Sequence, residues 1–376
     1  VDGFRFDLAS VLARDEDGVP LENPPILWAI ESDPILAGTK IIAEAWDAAG
    51  VYQVGSFVGD RWAEWNGQYR DDVRRFIKGD RYTVGPLVQR LMASPDLYPS
   101  PKRNPSHSIN FITAHDGFTM YDLVAYNRKH NEANGEKNRD GHNDNHSWNH
   151  GVEGPSDNPE IEQLRLRQMK NFMTILLISQ GTPMINMGDE IMRTQQGNNN
   201  AYCQDNELSW FDWTLVERKA DLLRFVRKII GFTQEHELFH DQHFWKPEGK
   251  GNGPLVTWHG VHLNKPDWGE DSRSLAFTLR HPQSREHLCV MLNSYWEALD
   301  FELMPLPAEE RWHCVVNTGA PSPQDFCELE KTTAIDADHF RVEPRAAVVL
   351  IAKEAVKRPA SNSLFRRIRS VTHLFV

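Results

Sequence analysis

The chain has 376 residues, 40% hydrophobic and 25% charged, the ordinary balance of a globular protein with length for two domains or one large one. Its formal net charge of −12 removes the general attraction to nucleic acid or an anionic membrane surface, and no stretch approaches the roughly 20 apolar residues that span a bilayer. The four cysteines, Cys203, Cys289, Cys314 and Cys327, form no C-x-x-C pair, which argues against a zinc or thioredoxin-like site; free thiols are expected, with a Cys314–Cys327 disulfide left open.

Short apolar runs ending in polar or acidic residues recur through the first half. Val1–Asp7 reads as the middle of a buried strand, so any targeting segment is expected upstream of it. Lys40–Glu44, Ser108–Asp116 and Pro183–Glu190 follow the same pattern. Near-continuous apolar strands suit a parallel sheet buried on both faces. Between them a helix is predicted over Ile161–Gln180, capped by Asn158, with Pro159 in its first turn and Gly181 and Pro183 as its stop. Ile161, Leu164, Met169, Phe172, Met173 and Leu176 share one face of it. A second helix, Ala220–Phe232, carries Leu222, Leu223, Val226, Ile229 and Ile230 on one side. The polar loop Asn127–Asn158 fails as an EF-hand, because His142 and Gly151 stand where ligands are needed; it reads as a loop bordering a cleft.

Gly249–Asp271, rich in Gly, Pro and Asp, reads as a connector or loop-rich edge. Beyond it Leu275, Phe277 and Leu279, then Leu299, Phe301 and Leu303, alternate with polar residues, and Leu288–Leu292, Trp312–Val316 and Ala346–Ile351 are further strands. The expected fold is α/β: residues 1–250 as part of a (β/α)8 TIM barrel, about strands 4 to 8, followed by an antiparallel β-sandwich over 251–354. Residues 355–376, with Lys357, Arg358, Arg366, Arg367 and Arg369, read as a frayed basic tail.

Asp7, Glu44 and Asp116 each end an apolar run, which in a parallel barrel places them at the C-terminal edge where active sites lie. Hydrolysis of a glycosidic bond with retention needs two carboxyl groups about 5 Å apart, one as nucleophile and one as acid/base. Strand-ending acids alone fit barrels of many chemistries. The words around them are more specific. Gly3-Phe4-Arg5-Phe6-Asp7-Leu8-Ala9, Ala43-Glu44-Ala45-Trp46-Asp47, Thr113-Ala114-His115-Asp116-Gly117 and Gly181-Thr182-Pro183 through Gly188-Asp189-Glu190 resemble, in order, four strand motifs of the α-amylase superfamily of glycoside hydrolases. Trp62–Asp71, Asn131–Glu136, Asn138–His142, Gln195–Tyr202 and Trp210–Trp213 resemble segments of isoamylases and bacterial glycogen debranching enzymes, and the likeness runs from residue 1 to about residue 354.

The resemblance implies Asp7 as nucleophile, Glu44 as general acid/base and Asp116 as the third acid, with Arg5, His115, Trp46, Trp62 and Phe118 binding or orienting substrate. Trp65 and Tyr69 are further aromatic candidates, Trp65 read rather as core. The resemblance also implies a debranching hydrolase that cuts α-1,6 branch points of glycogen, amylopectin or limit dextrin, needs no cofactor or metal, and works in the cytoplasm or in a plastid. An α-1,4-acting amylase, a trehalose-releasing hydrolase and a non-catalytic glucan-binding subunit are the alternatives. The superfamily's Asp-x-x-x-Asn-His-like word and the first barrel strands are absent from the chain, so on its own it is expected to be unstable or inactive.

Overall fold

The computed structural model describes residues 1–247 and 253–354; the basic segment 355–376 lies outside them. Five short strands form one parallel sheet: β1 (Gly3–Phe6), β2 (Lys40–Ala43), β3 (Ala63–Trp65), β4 (Ser108–Phe111) and β5 (Thr182–Met184). Their spatial order equals their order in sequence, so each crossover steps to the next neighbour and all C-terminal ends lie along one edge. β1 and β5 do not pair and form the two edges of the sheet. β1 is accordingly half exposed, with Phe4 and Val1 open to solvent, rather than a buried strand. The runs expected as strands also stop early: β4 ends at Phe111 and β5 at Met184, and the residues beyond turn into loops.

The helices are α1 (Pro25–Ser32), α2 (Gly67–Lys78), α3 (Val84–Leu91), α4 (Met120–Ala125), α5 (Pro159–Ile178), α6 (Leu215–Arg218) and α7 (Ala220–Glu235). Helix α2, with β3 just before it, is not among the elements expected from the sequence. Its ends are well specified all the same: the Asn66 side chain accepts the Tyr69 N–H at 2.9 Å, and Gly79, at φ +89°, closes the C-terminus by donating to Arg75 and Phe76. Helix α5 starts as expected, with Asn158 accepting the Glu160 N–H and Pro159 in its first turn. It departs from a one-faced helix in its second half, where every residue from Gln168 to Ile178 is buried. The polar ones have partners there: Lys170 bonds Asp325, and Asn171 bonds the Arg345 carbonyl and receives the Thr318 hydroxyl.

Those partners lie in the turns beside a seven-stranded sheet. Its strands are β6 (Lys246–Pro247), β7 (Leu255–His259), β8 (Ser274–Arg280), β9 (His287–Asn293), β11 (Glu310–Asn317), β12 (Ala334–Ile335) and β14 (Ala346–Glu354), in the order β12-β11-β14-β9-β8-β7-β6. A two-stranded ribbon of β10 (Leu299–Glu302) and β13 (His339–Val342) lies against one of its faces. β7 falls inside the stretch expected to be a connector. In β8 and β9 the residues of both parities are buried, not one. Leu275, Phe277, Val290 and Leu292 join the helical core with Met173, Phe225 and Ile229. Ala276, Cys289 and Met291 face Phe301, Trp312 and Val342 on the other side. All four cysteines are free. Among the described residues no helix is long and apolar enough to cross a membrane.

Candidate active site

Strand register alone brings two carboxyl groups together. Phe6 pairs with Ala43 across β1 and β2, so the next residues, Asp7 and Glu44, stand opposite each other at the strand ends. Adjacent strands lie about 4.8 Å apart, close to the spacing a nucleophile and an acid/base partner need. Side chains alternate across a strand, so Arg5 and Asp7 share one face; through the pairing of Arg5 with Ile42 and Ile42 with Ala63, Glu44 and Trp65 share it too.

Arg5 joins the pair. Its Nη1 is bonded to Asp7, and its Nη2 lies 3.1 Å from Glu44 Oε2. The guanidinium stacks on the Trp65 ring at 3.9 Å from the centroid, which fixes its height above the sheet. Glu44 is held from the other side by the Leu8 N–H at 2.8 Å, donated from a residue at φ 41° that turns the chain just beyond Asp7. His115, from the loop after β4, brings the third acid. Its Nε2 is 3.9 Å from Asp7 Oδ1 and 3.7 Å from Asp116 Oδ2. Its ring meets the edge of Trp65 at 5.7 Å.

The two central carboxyls sit in different surroundings. The Glu44 side chain is 6% exposed and that of Asp7 64%. Burial, assisted by the Asp7 charge, pushes Glu44 above the ordinary range against the pull of Leu8 and Arg5. Burial is the largest single influence on Asp7 and raises it, but the Arg5 hydrogen bond and charge, a hydrogen bond from Glu44 and the His115 charge together bring it below the ordinary range. A proton taken up by the pair therefore goes to Glu44 before Asp7. An acid beside an ionised nucleophile is what a double displacement at an acetal carbon requires.

Residues 257–347 match the family model described as isoamylase 1-3, C-terminal. The chain is 44% identical to chloroplastic isoamylase 3 of Oryza sativa subsp. japonica over 94% of its own length and 44% of that protein. It is 53% identical to the glycogen operon protein GlgX homolog of Mycobacterium tuberculosis over 72% of its own length and 38% of that protein. The chain belongs to the isoamylase family. It spans less than half the length of these curated relatives. In fold it is similar to pullulanase from Bacillus acidopullulyticus, with a TM-score of 0.63 at 19% identity, over 93% of this chain and 38% of that one. The α/β architecture is thus the one shared with that enzyme.

Within this isoamylase chain the structure gathers Arg5, Asp7, Glu44, His115 and Asp116, and it corrects two aromatic assignments. Trp62 is 0% exposed, wedged edge-on between Phe6 and Phe57 with centroids 5.0 and 5.2 Å away. Phe118 is equally buried, beside Tyr126. Neither presents a face to a sugar ring. Tyr69 is core as well, with its hydroxyl beside Ser179. Trp46 is half-buried and stacks at 8° on Tyr52, which is exposed. Trp65 is the residue the sequence reading undervalued. Trp62 and Trp65 are three apart on an extended segment and so point to opposite faces; period-two counting from Asp7 was the available signal. Among the described residues no set of three or more His, Cys, Asp or Glu side chains is arranged to hold a metal ion.

Proposed function

We propose that the protein hydrolyses α-1,6-glucosidic branch points of glycogen, amylopectin or a related limit dextrin with retention of configuration. The carrying observation is the Asp7–Glu44 pair, adjacent in register and bridged by Arg5, with Glu44 raised and Asp7 lowered from their ordinary ranges. Asp7 attacks the anomeric carbon, and the bond to the leaving oxygen breaks as that oxygen takes the Glu44 proton. The Glu44 carboxylate then removes a proton from water, whose oxygen displaces Asp7 and releases the reducing sugar. His115 and Asp116 hold ring hydroxyls of the sugar undergoing attack. The parallel sheet supplies strands 4 to 8 of a (β/α)8 barrel within residues 1–250, and residues 251–354 form the β-sandwich. The protein acts in the cytoplasm or a plastid; the rice relative is named chloroplastic, and four free thiols suit a reducing compartment.

The test is the product profile of the full-length protein on amylopectin and on amylose. Release of linear malto-oligosaccharides from amylopectin alone is expected. Shortening of amylose would replace the α-1,6 reading with an α-1,4 one, and glucan binding without any product would make the protein a binding subunit.

A further inference from the structure

Asp189, in the Gly188-Asp189-Glu190 word after β5, takes no part in the reaction described above. It is 0% exposed, so it touches no substrate, yet its carboxylate reaches across to the loop that follows β4. One oxygen accepts the Met120 N–H at 2.9 Å, and the other accepts the Thr113 hydroxyl. These partners bracket residues 114–119, which include His115 and Asp116. A third anchor lies between them: the Gly117 N–H, at φ +94°, donates to the Asn199 carbonyl at 2.9 Å. His115 and Asp116 themselves are more than half exposed, and their mutual approach is a loose 3.7 Å. Their position therefore comes from behind the loop, not from bonds of their own.

We propose that Asp189 is a positioning residue: a buried carboxylate that clamps both ends of the 113–120 loop so that His115 and Asp116 face the sugar attacked by Asp7. The proposal rests on the hydrolytic reading and deepens it. Burial opposes a charge here and pushes Asp189 up to about 7, with Arg193 opposing and Glu190 reinforcing that shift. An amide fits the same geometry, because its oxygen can accept from Met120 while its nitrogen donates to a rotated Thr113 hydroxyl. Alanine satisfies neither.

Asp189→Ala and Asp189→Asn in the full-length protein separate these cases. Alanine is expected to lower kcat on amylopectin by about 10- to 100-fold per folded molecule, the scale of an ångström's misplacement, while KM moves much less. Amide exchange should rise about tenfold or more over residues 112–120, with α2 and α5 unchanged. Asparagine should restore both to within about threefold of the parent. Wild-type kcat in the alanine variant, or exchange that rises equally in α2 and α5, overturns the proposal. Asp7→Asn serves as the reference. If it keeps hydrolysing, the reaction reading fails, and the exchange pattern still decides whether Asp189 clamps the loop.

Discussion

The edge of the parallel sheet and the seam beneath the seven-stranded sheet use charge in opposite ways. At the seam, Asp325 is 0% exposed and bonds two cations, Lys170 from α5 at 2.5 Å and Arg224 from α7, with Ser322 adding a third donor. Burial would raise its pKa, but the two cations outweigh burial and lower it. At the edge burial again raises Asp7, but its side chain is 64% exposed, and Arg5, helped by Glu44 and His115, is enough to lower it. Glu64 in β3 is the intermediate case: fully buried, with one cation, Arg103, at 3.2 Å. That guanidinium already donates to the Trp62, Phe57 and Gly59 carbonyls, so burial wins and Glu64 rises to about 7. Depth set against the number of uncommitted cations decides the direction. Charge at the seam holds elements together; at the edge the side chains of Asp7 and Asp116 stay more than half exposed.

The largest effect expected from that contrast is on turnover. Asp7→Asn should reduce kcat at least about a thousandfold, as removal of a nucleophile does elsewhere, without shifting the urea midpoint. A midpoint shift as large as that of a core variant would erase the distinction between the two regions. Asp325→Ala should do the converse, costing about 3–5 kcal/mol of stability because Lys170 and Arg224 are left buried and unpaired. Urea unfolding reads this, and folded molecules should keep the parent kcat. Since Asp325 is lowered, its contribution is present above the ordinary Asp range and disappears as pH falls through the folded value.

Glu64 sharpens the middle case with the reverse sign. Its raised value means that its share of stability is complete below the ordinary Glu value of 4.5 and declines as pH rises through about 7. A displacement of that size corresponds to roughly 3 kcal/mol. Glu64→Gln should flatten this decline in urea midpoints measured between pH 4 and 8, and an unchanged slope would assign the decline to other groups. The smallest effect concerns Arg5. Arg5→Met should raise both limbs of the pH–rate profile, because Asp7 and Glu44 each lose a favourable charge. The acid limb is expected to move to higher pH, alongside a reduced kcat. Unmoved limbs would sever Arg5 from the pair.

Most of the site was legible because it lies on strand ends, where an acid after an apolar run has one place to go. Asp7 and Glu44 needed only period two and parallel register. The aromatics were misjudged because a Trp in a motif carries no sign of its face; Trp62 and Phe118 went into the core and Trp65 went under Arg5. Helix α2 went unread although Tyr69, Val73, Phe76 and Ile77 recur at helical spacing and Asn66 and Gly79 mark its ends. The full burial of the second half of α5 depends on a sheet more than 100 residues away in sequence, which no local window contains.

One further consequence follows from β8 and β9 being buried on both sides. Residues such as Phe277 and Val290 close the same apolar cluster as Met173 and Ile229. Limited proteolysis near Pro247 should therefore nick the chain without liberating two stable pieces. Genetic exchange of the final sheet between relatives should succeed only when the outer surfaces of α5 and α7 travel with it.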